Sequence, residues 1–163
     1  MAFLQTTAIS TNLGFLTILR EGAGYLGGYL VTNPWGRPLE FRLSSAVQPN
    51  KVQQILYGQS LETYICADLL GKTLVDKSTT AAHVILTDHP AALDLRRRLE
   101  IPVALVNAND TANPLSAHGH FAGDVKFLRD LTDRLGHFDF TEPFGRIREA
   151  IAEARKLGVA GRN

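Results

Sequence analysis

His118-Gly119-His120, followed by Asp124 four residues on, is the sharpest cluster of chemistry-bearing side chains in the chain. Two imidazoles one residue apart lie on the same side of an extended backbone. A carboxylate at the start of the next helix completes three ligands with an open position, the usual arrangement of a catalytic zinc. The site expected here is therefore a divalent, zinc-like metal on His118, His120 and Asp124, set against histidines that are merely solvated and an Asp124 that merely caps a helix. Asp88 and His89 are the further ligand or catalytic candidates, although Asp88-His89-Pro90 also makes a good helix start, with Pro at the first helical position. Trp35, at a turn tip with Arg37 beside it, is a candidate interaction residue, because a large exposed aromatic is a useful binding anchor.

These residues need elements to hold them. His83 to Thr87 is a short apolar run, Ala91 to Leu99 reads as a helix, and Val103 to Val106 is a second apolar run. Two such strands joined by about a dozen residues favour parallel pairing. Ligands of open α/β sheets gather outside the carboxyl ends of parallel strands, which here carry Asp88, His89, Asn107, Asn109 and Asp110. Upstream, Leu13 to Arg20, Tyr25 to Thr32 and Leu39 to Leu43 read as strands with connections short enough for an antiparallel meander. Asn33-Pro34-Trp35-Gly36 matches a type I turn at three positions. Alternation in the third strand predicts Leu39, Phe41 and Leu43 toward the core, with Glu40 and Arg42 outward. Gly27-Gly28 inside the second strand signals a bulge or a close backbone contact. A helix over 49–57 and a second from Ser60, with a stripe of Leu61, Ile65 and Leu69 and with Tyr64 and Leu70 beside them, come next. Two helices close the chain: one with Leu128, Leu131 and Leu135 inward, the other capped by Thr141 with Phe144, Ile147, Ile151 and Ala154 on one face. The expected fold is α/β (mixed α+β) in a single domain over 1–163. It is strand-rich over 13–45, helical over 49–77, βαβ over 83–107, a loop over 107–123 and helical again over 124–157, with about five strands in one mixed sheet.

Glu40-Phe41-Arg42 on the third strand and Gln53-Gln54-Ile55-Leu56-Tyr57 on the next helix resemble, in part, the PD-(D/E)xK nucleases of the RecB type. The likeness spans roughly residues 13–87 and implies an acid-x-Lys strand motif with a downstream Gln-x-x-x-Tyr helix. The chain departs from that pattern: Arg42 stands in place of the lysine, and arginine cannot give up a proton to serve as a base. The metal-binding acid expected a dozen residues before Glu40 falls at Gly27 or Gly28. An active nuclease of that type is not expected. Gly71-Lys72-Thr73 lacks the earlier glycine of a phosphate-binding loop, Ser116 with His118 lacks an orienting acid, and Cys66 reads as a small buried hydrophobe. Arg96-Arg97-Arg98 spreads over a wide helical arc and reads as a solvated face.

With 163 residues, 45% hydrophobic and 20% charged, the chain has globular composition. A formal net charge of +1 gives no general pull toward nucleic acid or membrane. A single cysteine excludes an internal disulfide and a Cys-based zinc site and fits a reducing, cytoplasmic setting. The first residues lack the pattern of a signal peptide. Two classes follow. The preferred one is a non-catalytic interaction or assembly module with a protein partner or a second copy of itself, and with neither nucleic acid nor membrane among its partners. The alternative is a metal-dependent hydrolase or phosphodiesterase using Asp88, His118, His120 and Asp124.

Overall fold

The computed structural model describes residues 11–136 and 138–160. Strands β1 (Leu13–Glu21), β2 (Gly24–Thr32) and β3 (Pro38–Leu43) form the expected meander, in which β1 and β2 pair antiparallel from Leu13↔Thr32 to Glu21↔Gly24. Helix α1 (Lys51–Tyr57) follows, opened by a capping box between Asn50 and Gln53. A 3-10 turn (Gly58–Ser60) leads into a helical rod made of α2 (Leu61–Thr63), a π-helix (Tyr64–Gly71) and α3 (Lys72–Lys77). Strand β4 (Val84–Thr87), a 3-10 helix (Pro90–Arg98) and β5 (Val103–Val106) make the right kind of unit: β4 pairs parallel to both β1 and β5. A sixth strand, β6 (Leu115–Ala117), turns back antiparallel on β5, and helices α4 (Asp124–Leu135) and α5 (Glu142–Ala160) complete the chain. The sheet order is β3-β2-β1-β4-β5-β6. Among the described residues no helix is long and apolar enough to cross a membrane.

Helices cover both sheet faces. On one, Leu13, Phe15, Leu30, Val84 and Leu86 pack with Leu128 and Leu131 of α4 and with Phe144, Ile147 and Ile151 of α5. On the other, Leu16, Ile18, Tyr29, Val31 and Ile85 pack against Ile65, Leu70 and Leu74 of the rod and Leu95 of the 3-10 helix. Strand β2 is buried along its whole length between the two layers. The Gly27-Gly28 signal resolves as close contact on both faces. A Cβ on Gly28 would stand 2.5 Å from Ile147 Cγ2, and one on Gly27 would stand 2.9 Å from Leu74 Cδ1. The register shift of the β2–β3 pair lies elsewhere, between Val31 and Thr32.

Several local expectations are corrected. Leu39, Phe41 and Leu43 are 44%, 39% and 38% exposed rather than buried, because α5 packs over β1 and β2 while β3 is the sheet edge. The opposite face turns inward through Glu40, whose carboxylate accepts from the backbone N–H of Thr79 at 2.9 Å and of Thr80 at 2.7 Å, and from Arg42 Nε at 2.8 Å. Those bonds hold Glu40 at a pKa of about 2, so the strand residue of the nuclease-like motif is a staple for the loop after α3. In the rod, i→i+5 winding aligns Ile65 with Leu70, and Leu70 is buried while Leu69 of the expected stripe is only half-buried. Val52, Ile55 and Leu56 of α1 are exposed, not packed inward. The 107–123 segment contains β6, and α5 runs two residues past Gly158.

Candidate functional site

The parallel pairing of β4 and β5 brings their carboxyl ends to one rim, beside Thr17 in the middle of β1, as the strand–helix–strand reading required. His89 caps the 3-10 helix, its Nδ1 accepting from the Ala91 backbone N–H at 3.2 Å, with Pro90 at the first helical position. Asp88 is thereby released from the capping role. The Thr17 hydroxyl, on the neighbouring strand β1, donates to Asp88 Oδ1 at 2.8 Å, and the Arg148 guanidinium, from α5, pairs with Asp88 Oδ2. Thr17 is buried, the Asp88 side chain is 23% exposed and that of Arg148 48%. The result is a carboxylate fixed from below by a hydroxyl and countered from outside by a half-exposed cation. One turn pair along α5, Arg155 repeats the theme with Glu21 at the end of β1.

The other rim residues serve the β5–β6 hairpin. Asn107 Nδ2 donates to the Asn113 carbonyl at 3.0 Å and to Ser116 Oγ at 2.7 Å, and Asp110 Oδ1 accepts from the backbone of Ala112 and Asn113. Asn109 is exposed.

The histidine loop lies at the opposite end of the sheet. Strand β6 runs antiparallel to β5, with Ala117 opposite Ala104 near the start of β5, so His118 emerges at the amino end while Asp88 sits at the carboxyl end. His118 Nδ1 accepts from the His120 backbone N–H at 3.0 Å, which leaves Nε2–H to donate to Asp94 Oδ1 at 2.8 Å. Asp124 opens α4 without capping it. Its carboxylate instead takes Arg96 Nε at 2.7 Å, in a pair whose side chains are only 14% and 13% exposed. The Arg96 guanidinium also lies 4.1 Å from the Phe121 ring centroid and donates to the Leu99 carbonyl at 2.7 Å. His118, His120 and Asp124 are thus not gathered as ligands, and among the described residues no group of three His, Cys, Asp or Glu is disposed to hold a metal ion. Of the arginine run, Arg97 and Arg98 are solvated and pair with Asp94 and Asp68, whereas Arg96 turns in to Asp124. Cys66 is buried, and burial pushes its thiol up to about 12, so it is no nucleophile.

Thr17 and Arg148 were not singled out in the sequence, though both leave a trace there. Thr17 is a hydroxyl inside an apolar strand, and Arg148 falls on the apolar stripe of α5 between Ile147 and Ile151. At Trp35 the structure gives a ring that is 69% exposed, on a turn closed by the Gly36 N–H to Asn33 carbonyl bond of 3.0 Å; Arg37 is exposed beside it.

No family model matches the chain, and no curated protein matches it. Among solved structures it is similar to endonuclease V of Ciona intestinalis in complex with a 24-mer DNA containing an inosine followed by a ribo-adenosine. The identity is 12% and the TM-score 0.31, over 74% of this chain and 56% of that one. A variant of the same enzyme with a 23-mer DNA gives 12% and 0.30 over the same shares. The chain thus spans about half the length of those nucleases. The expectations of a non-catalytic interaction or assembly module, and of a chain without nucleic acid among its partners, are withdrawn in view of these DNA-bound nucleases. Residue roles rest on the geometry above.

Proposed function

We propose that the chain hydrolyses phosphodiesters, with nucleic acid as the substrate class, at the carboxyl end of β4, beside Thr17 of β1. The observation that carries this reading is the Asp88 carboxylate, held on one oxygen by the buried Thr17 hydroxyl and on the other by Arg148. An ionised carboxylate offers about four acceptor positions, so Asp88 keeps acceptor capacity at the rim. A hard divalent cation is commonly held by one or two carboxylates together with substrate phosphate oxygens, not by a complete protein cage. One fixed carboxylate, without a three-residue ligand cluster among the described residues, suits that mode. Such a cation supplies charge neutralisation at the phosphoryl group and a more acidic attacking water.

The chain's own residues divide the remaining work. Thr17 fixes the direction of Asp88. Arg148 exchanges the carboxylate for a phosphate oxygen, which its planar fork of donors matches. Asp88, freed on that side, orients the water. Water oxygen bonds to phosphorus and gives up one proton to solvent, one P–O ester bond breaks, and the departing oxygen takes up one proton from solvent.

The test is cleavage of labelled single-stranded and duplex oligonucleotides with Mg²⁺ or Mn²⁺, by wild type and by Asp88→Asn. The isosteric variant keeps the Thr17 contact and the fold, and it is expected to lose about 10²-fold or more in rate. Wild type that cleaves nothing with either cation, or Asp88→Asn that cleaves equally well, would refute the reading.

A further inference from the structure

Near the N-terminus of α5, away from Asp88, is an open cavity of about 420 Å³ lined by Trp35, Gly36, Phe138, Asp139, Glu142 and Arg146. Its walls are fixed in advance. Asn33 Oδ1 accepts from the backbone N–H groups of Trp35 and Arg37, both at 3.0 Å, which locks the turn that displays the Trp35 ring. Gly36, at φ +81, lies against Phe138 and Arg146, and Arg146 Nη1 donates to the Gly36 carbonyl at 2.8 Å. Phe138 is in turn stacked on Phe15, with centroids 6.1 Å apart and rings 10° from parallel. Preorganised walls of this kind lower the ordering cost of binding.

The polar groups select the occupant. Asp139 and Glu142 present carboxylate acceptors, and Arg146 presents guanidinium donors. Arg146 Nε stands 2.9 Å from Glu142 Oε2 but in misaligned geometry, so that buried N–H has no hydrogen-bond partner. Two carboxylates against one guanidinium repel a phosphate, while the guanidinium disfavours a quaternary ammonium. A flat heteroaromatic ring carrying both N–H donors and acceptors satisfies both kinds of wall and stacks on an exposed indole. We propose that this cavity takes one unpaired nucleobase of a single-stranded nucleic acid, stacked on Trp35, with the sugar–phosphate backbone left outside.

Glu142 and Arg148 are six residues apart on α5, roughly 9 Å of helix axis, so a strand of the about 4–16 nucleotides that single-strand surfaces cover is long enough to reach from this cavity to Asp88. That continuation rests on the phosphodiesterase reading; the base site itself does not.

Trp35 is the sole tryptophan of the chain, so intrinsic fluorescence reports the cavity directly. The full chain, without divalent cation, is titrated with a single strand of about 12 nucleotides, its duplex, free nucleosides and tetramethylammonium. Saturable quenching by the single strand, much weaker with the duplex and the nucleosides, is expected. In anisotropy with a labelled strand, Trp35→Ala is expected to lose roughly 5- to 150-fold in affinity, the worth of one base–aromatic stack, with Trp35→Phe restoring part of it. Absent quenching, equal binding of duplex, nucleosides as tight as the strand, or a response to tetramethylammonium alone would each overturn the proposal. The two readings fail separately. Quenching without cleavage refutes the chemistry at Asp88, and cleavage without quenching refutes the base site.

Discussion

Replacing Asp124 by alanine separates a structural acid from a metal ligand. In the fold its carboxylate answers Arg96 at 2.7 Å (Nε to Oδ2) and 3.4 Å (Nη2 to Oδ1), between side chains almost withdrawn from water. Removing the acid leaves the guanidinium buried with the Leu99 carbonyl and the Phe121 ring as its remaining partners. Breaking a buried pair from one side costs about 3–5 kcal/mol, and loss of an acid from the first turn of α4 adds about 0.3–1 kcal/mol. That is a large share of the about 5–15 kcal/mol that holds a typical domain folded. At about 2–4 °C per kcal/mol for a chain of this size, Asp124→Ala is expected to lower Tm by roughly 7–24 °C. The second arm is Arg96→Met with Asp124→Leu, which removes both charges and is expected to recover most of the loss, since apolar replacement of a buried pair is often neutral. Thermal and urea unfolding followed by circular dichroism measure both, with elemental analysis of each protein alongside. An unchanged Tm in Asp124→Ala, or wild-type metal that disappears in this variant, would refute the structural role.

Three further outcomes are expected. Glu40→Gln, which weakens the hold on the Thr79 and Thr80 backbone, should cost about 1.5–3 kcal/mol in urea unfolding. Because Glu40 has a folded pKa of about 2 against an ordinary 4.5, its contribution is complete above about pH 4.5 and is lost as pH falls through about 2. The variant's midpoint should therefore decline less over that window, and parallel decline in both proteins would contradict the assignment. Gly28→Ala should destabilise by about 1–3 kcal/mol through overpacking against Ile147, whereas a stabilised variant would show that α5 can move aside. Cys66, with its thiol raised to about 12, should resist alkylation at neutral pH in the native protein and react at once in denaturant; rapid native labelling would mean the rod opens readily.

The sequence by itself determined the elements and much of their arrangement. Short connections imposed the meander over β1 to β3, the dozen-residue crossover imposed parallel β4 and β5, and helical periodicity placed Leu128, Leu131, Phe144, Ile147 and Ile151 inward. It also located Asp88 at a strand end, because that follows from local pattern alone. What it left undecided were choices between partners distant in the chain. Phe41 and Leu43 alternate like core residues, yet β3 became an edge that α5 does not cover, and Glu40 turned in because the Thr79–Thr80 backbone needed acceptors. His118 and Asp124 have metal-site spacing, yet Asp94 and Arg96, more than twenty residues earlier, reached them first. The return of β6 then carried the histidines to the far end of the sheet from Asp88. Spacing fixes which side chains lie near one another along the chain, and only packing decides which charged group each buried polar atom meets.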